Sequence, residues 1–67
     1  MYIIQEIQTD NGQTALVPAI VYGDQNLAES AYHQKLAAAA TSSVDVHAVV
    51  MYDEHGNLLR REYYEHI

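Results

Sequence analysis

The stretch Val44 to Tyr52 (V-D-V-H-A-V-V-M-Y) constrains the fold more than any other. Val44, Val46, Ala48, Val50 and Tyr52 place an apolar residue at every second position, which is one whole face of a β-strand. The opposite face carries Asp45, His47, Val49 and Met51. A strand this apolar belongs in the middle of a sheet. Asp53-Glu54-His55-Gly56 follows, with the residues of a type I turn and a left-handed glycine. Asn57 to Glu65 then returns, with Leu58, Arg60, Glu62 and Tyr64 on one side and Leu59, Arg61, Tyr63 and Glu65 on the other.

The first half of the chain supplies a second hairpin and a helix. Tyr2 to Gln8 reads as a strand, with Ile3 and Ile7 on one face and Tyr2, Ile4 and Glu6 on the other. Asn11-Gly12 is a tight-turn pair, since both residues tolerate positive φ. Gln13 to Tyr22 reads as the returning strand, with Leu16, Ile20 and Tyr22 on one face and Ala15, Val17 and Val21 on the other. Pro18 lies inside it and lacks an N–H, so this strand sits at an edge or is broken by a bulge. Asp24 is a good N-cap for a helix from Gln25 to about Ala40. Leu27, Ala28, Ala31, Tyr32, Leu36 and Ala39 recur at three- and four-residue spacing along it.

The expected fold is a single α+β domain spanning residues 1–67. It is a ββαββ chain, a four-stranded antiparallel sheet in the order 2-1-3-4 with one helix on one face. The all-apolar row of Val46, Ala48 and Val50 is the expected seat of Leu27, Ala31, Tyr32 and Leu36. That leaves Val49 and Met51 uncovered beside His47 and Asp45. With Tyr2 and Ile4 they form the expected interface of a homo-oligomer, most simply a dimer. Burial in a chain this short contributes about 100 kcal/mol. Ordering its residues costs about the same, so a second copy is the natural source of added stability.

Composition excludes several chemistries. The chain has no Cys, so it holds no disulfide, thiol nucleophile or zinc ribbon. Its net charge of −6 opposes binding to nucleic acid or to anionic membranes. No apolar run approaches the ~20 residues that span a bilayer, and the first residues lack the basic start of a signal peptide. A cytoplasmic setting is expected. Neither a cofactor nor a metal is expected.

Few residues suggest chemistry. Asp45 and His47 share a strand face, so the carboxylate could orient the imidazole as a general base. No positioned nucleophile accompanies them. Glu29 with His33, and Glu62 with His66, are pairs too small for a zinc site. Arg60-Arg61 is the one basic cluster. With Tyr63, Tyr64 and His47 it is the candidate ligand-binding set, an arginine gripping phosphate while a tyrosine stacks on a base. The competing expectation is that the arginines pair with Glu62, Glu65 or Glu6. Six Tyr without Phe or Trp suit a surface that buries rings and keeps hydroxyls wet.

Ala28-Glu29-Ser30-Ala31-Tyr32-His33, Leu36 to Ala40, Ser42 to His47 and Tyr2 to Gln8 resemble segments of short uncharacterised proteins of Firmicutes bacteria and their phages. The resemblance covers most of the chain and implies a bacterial or phage setting, with no activity to carry over. Three readings stay open. The first is a non-enzymatic homo-oligomeric binding module, engaging a host protein through an acidic surface. The second is a small-molecule sponge holding a nucleotide-like ligand at the subunit junction. The third is a small enzyme using the His47–Asp45 pair.

Overall fold

The computed structural model describes residues 1–66. Strand β1 (Tyr2–Asp10) turns at Asn11-Gly12 into β2 (Gln13–Leu16), and β3 (Ile20–Tyr22) follows. Helix α1 (Gln25–Ala40) then leads to β4 (Val46–Asp53) and β5 (Leu58–Glu65). The class is α+β, one helix packed on an antiparallel sheet of five strands. The expected second strand is two strands, β2 and β3, which both pair with β1. The sheet runs β2-β1-β4-β5, with β3 beside β2 on the same flank of β1.

Pro18 causes the division. Leu16 stands opposite Ile7, whereas Ile20 stands opposite Ile4. Val17, Pro18 and Ala19 therefore face only Gln5 and Glu6, a bulge of one extra residue. Val17 still donates to the Glu6 carbonyl at 3.0 Å, and Pro18 has nothing to donate. The added residue turns Leu16 to the face opposite Ile20 and Tyr22. An unbroken strand would have placed all three together.

The two hairpins close as their turn residues dictate. Asn11 (φ 53°) and Gly12 (φ 76°) form a two-residue connection between Asp10 and its register partner Gln13. In the second turn, Asp53 exchanges backbone bonds with Gly56 and Asn57. Its carboxylate also accepts from the backbone N–H groups of His55 and Asn57. Hydrogen bonds from Asn57, side chain first and backbone second, hold the Asp53 carboxyl below the usual carboxylate range. Asp24 caps α1, its Oδ1 accepting from the Asn26 N–H at 2.7 Å and the Leu27 N–H at 3.1 Å.

The helix covers the face opposite to the expected one. Ile4, Val49 and Met51 meet Ala28, Ala31, Tyr32 and Ala39 in the core, with Tyr2, Tyr22 and Leu36 packed at its border. Val49, Met51 and Ile4 are thus core residues, sealed beneath the helix instead of forming an interface. Leu27 is 62% exposed and lies off the packed stripe. Chain topology explains the reversal. Strands β3 and β4 each run antiparallel to β1, so they are parallel to one another, and α1 crosses over β1 to join them. Such crossovers are almost always right-handed, which leaves the helix one face only. Small alanines along α1 then let it settle close to the sheet.

Candidate functional site

Strand registers sort every sheet residue onto one of two faces, because side chains alternate. The helix side carries Tyr2, Ile4, Glu6 and Gln8 from β1, and His47, Val49 and Met51 from β4. From β5 it carries Arg60, Glu62 and Tyr64. The other side carries Ile3, Ile7, Val46, Ala48, Val50 and Tyr52, flanked by Leu16, Val21 and Tyr63. The ligand-binding set is therefore divided. Arg60, Tyr64 and His47 lie on the helix side, while Arg61 and Tyr63 lie on the other.

Under the helix, the polar residues form a closed knot. Glu6 Oε1 lies 2.9 Å from His47 Nε2, and Lys35 Nζ donates to Glu6 Oε2 at 3.2 Å. Burial pushes the Glu6 carboxyl upward. Hydrogen bonds from His47 and Lys35, with their charges, outweigh that and hold it below the usual range. His47 is 4% exposed, and its buried Nδ1 has no hydrogen-bond partner among the described residues. Asp45 does not take part. Its carboxylate accepts from the Asn11 N–H at 3.2 Å, bracing the β1–β2 turn. The candidate His47–Asp45 pair does not form, and Glu6 is the partner of His47.

The remaining charged pairs are also structural. Arg60 Nε donates to Glu29 Oε1 at 3.0 Å, and Glu29 lies 3.7 Å from His33 Nε2 on the next turn of the helix. Arg60 therefore does pair with a carboxylate, though on the helix and not on the strands expected. His66 Nε2 meets the Ala39 carbonyl at 2.9 Å, so it leaves Glu62 and ties the chain end to the end of α1. Burial first, and the Glu62 charge second, raise the Tyr32 hydroxyl above its ordinary range. Among the described residues no three His, Asp or Glu side chains gather as a metal site would require, and no helix is long and apolar enough to cross a membrane.

The far side of the sheet is the exposed feature. Leu16 is 63% exposed, Val21 59% and Tyr63 52%. Ile3, Ile7, Val46, Ala48 and Tyr52 are partly exposed. Val50 alone is buried, flanked in register by Gln5 and Arg61. Thr9 and Thr14 bond hydroxyl to hydroxyl at 2.9 Å across the β1–β2 pair on this side. Among the described residues Arg61 and Glu65 are its only charged side chains, and they cancel. The remaining eight acidic and two basic residues carry the whole −6 on the helix side and in the turns. This apolar, neutral surface, on a chain whose net negative charge lies on the other side and in the turns, is the candidate functional site. The sequence shows these residues as an apolar row, and hydropathy alone would place that row under the helix. The signal that separates the two faces is the handedness of the crossover, not hydropathy.

No protein-family model, curated protein or solved structure matches this chain.

Proposed function

We propose that this protein is a non-enzymatic homo-oligomeric binding module whose uncovered sheet face docks onto another protein. The observation that carries the reading is that face itself, a run of apolar residues across β1 and β4 with no covering element among the described residues. Monomeric proteins rarely leave so continuous an apolar surface bare. The net charge of −6 suits a basic partner. A host protein with an apolar centre and a basic border would be steered by the −6 charge and held by apolar contact.

The sponge is the second reading, favoured by one observation. Arg61 has no ion-pair partner among the described residues and shares its face with Tyr63 and Tyr52. A base could stack on a tyrosine there while the guanidinium holds a phosphate. Among the described residues the monomer encloses no pocket, so such a ligand would have to lie between subunits. Native mass spectrometry of the protein purified from its own cells tests both readings. A complex carrying a second protein, lost in an Ala48→Lys variant, supports the module. An added mass of a few hundred daltons, lost in Arg61→Ala, supports the sponge. A bare chain in every preparation counts against both.

A further inference from the structure

The sheet has two edges of different character. On one flank, β2 and β3 are short and separated by the Pro18 bulge, which spoils that edge as a template. On the other, β5 runs from Leu58 to Glu65 exposed along its whole length. His66 donates its N–H inward to the Asp45 carbonyl at 2.7 Å. Hydrogen bonding alternates along an antiparallel strand, so Tyr64 and Glu62 also point their backbone groups inward to β4. Arg61, Tyr63 and Glu65 then present unpaired N–H and C=O groups to solvent.

We propose that β5 pairs antiparallel with β5 of a second copy, about a two-fold axis through Tyr63 perpendicular to the sheet. This supplies the self-association on which the binding-module reading draws, and it leaves the uncovered face free. The charges on β5 select the register. A two-fold at Arg61 would set Arg61 against Arg61 of the partner subunit, and one at Glu62 would oppose two carboxylates. Centring on Tyr63 sets Arg61 opposite Glu65 of the partner subunit, and Glu65 opposite the partner subunit's Arg61. Both lie at positions whose backbone groups point outward, so each pair also exchanges ladder hydrogen bonds. Strand β5 is itself neutral, with Arg60 and Arg61 against Glu62 and Glu65. The contact therefore brings no net charge together despite the −6 of each chain. The pairing is isologous and uses up the regular edge, so assembly stops at a dimer. The two sheets become one, and the two apolar faces lie side by side on the same surface.

Charge reversal with rescue tests the register. Dimerisation followed by sedimentation equilibrium should weaken roughly tenfold or more in Arg61→Glu and in Glu65→Arg, since each sets like charges opposite each other twice. The double variant R61E/E65R should restore it. A dimer unmoved by either single variant, or a double variant no tighter than the singles, overturns the proposal, as does a wild-type chain that stays monomeric at high micromolar concentration. Because the chain has no Cys, cross-linking gives an independent check. A Tyr63→Cys variant should cross-link between subunits under mild oxidation, whereas Ala48→Cys should not. Cross-linking at position 48 alone would show face-to-face packing, sinking the edge contact while leaving the uncovered face as a binding surface.

Discussion

The same strands build both faces of this sheet, and both are rich in apolar residues, yet one is a core and the other is bare. Ile4, Val49 and Met51 are almost fully buried, whereas Ile3, Ile7, Val46 and Ala48 are not. The core face is also the more polar of the two. It contains Glu6, His47 and Glu62, while the bare face holds only Arg61 and Glu65 as charges. Apolar content therefore did not decide which face the helix took. Connection geometry did, because the chain leaves β3 and must return as β4 on a parallel course with β1 between them. Of the polar groups caught on that face, His47 through Nε2 and Lys35 through Nζ meet the Glu6 carboxylate, while His47 Nδ1 has no partner among the described residues. The bare face needed no such repair and kept its apolar surface.

The largest expected effect comes from placing one charge on each face. Val49 is fully buried and Ala48 beside it faces the other way. Val49→Lys forces an ammonium into the sealed core, where Glu6 in register beside it is already taken by His47 and Lys35 and Glu62 lies out on the exposed β5. That costs several kcal/mol. A domain of this size has little stability to spare, so the variant should show no cooperative melt by circular dichroism. Ala48→Lys should melt within a few degrees of wild type. Equal loss in the two would mean that the faces have been assigned wrongly. Leu36→Asp, at the border of the core, should fall between them.

The polar knot gives the next effect, and it depends on pH. The Glu6 carboxyl lies below its ordinary value in the folded protein. A depressed carboxylate contributes stability above the unfolded pKa, near 4.5. That contribution is lost as pH falls through the lower, folded value. Glu6→Gln keeps the shape and removes the charge, leaving Lys35 and His47 without their acceptor carboxylate. It should cost about 1–3 kcal/mol near neutrality. The gap between variant and wild type should close as the solution is acidified below that range. A gap that stays constant down to strongly acid pH would show that the knot acts through packing alone.

Much of this architecture was legible beforehand, for reasons that lie in local chemistry. The Asp24 cap and the alanine-rich run gave the helix the bounds observed. Asn11-Gly12 and Gly56 fixed two turns through their positive φ. A smaller prediction follows from these. Gly12→Ala meets no atom within 4 Å, so its cost of about 1 kcal/mol is backbone strain alone. It should lower the melting midpoint by a few degrees without changing the spectrum. What was not legible depended on contacts between distant segments. Glu6, Lys35 and His47 are far apart in sequence, and nothing local links Glu29 to Arg60. The candidate site failed to emerge for the same reason. Its residues were recognised as a row, but which side of the sheet they faced depended on a crossover.

The smallest effect sharpens the comparison most. Val→Thr keeps the shape and the β-branch and adds one hydroxyl. At Val49 that hydroxyl is buried among Ile4, Met51 and the helix alanines, beside a Glu6 carboxylate that His47 and Lys35 already engage, so Val49→Thr should cost about 1–3 kcal/mol at any protein concentration. Val21 is 59% exposed on the far face. There Val21→Thr should change stability by about 0.5 kcal/mol or less, because the hydroxyl stays wet. Thermal melts at low and high protein concentration separate two ways of assembling. If copies pair through β5, Val21 remains exposed in the dimer and its substitution stays near neutral throughout. If copies pack face to face, Val21→Thr becomes costly only where the oligomer forms, and its penalty grows with concentration. A penalty at Val21 equal to that at Val49 in dilute solution would mean that the far face is already covered within one chain.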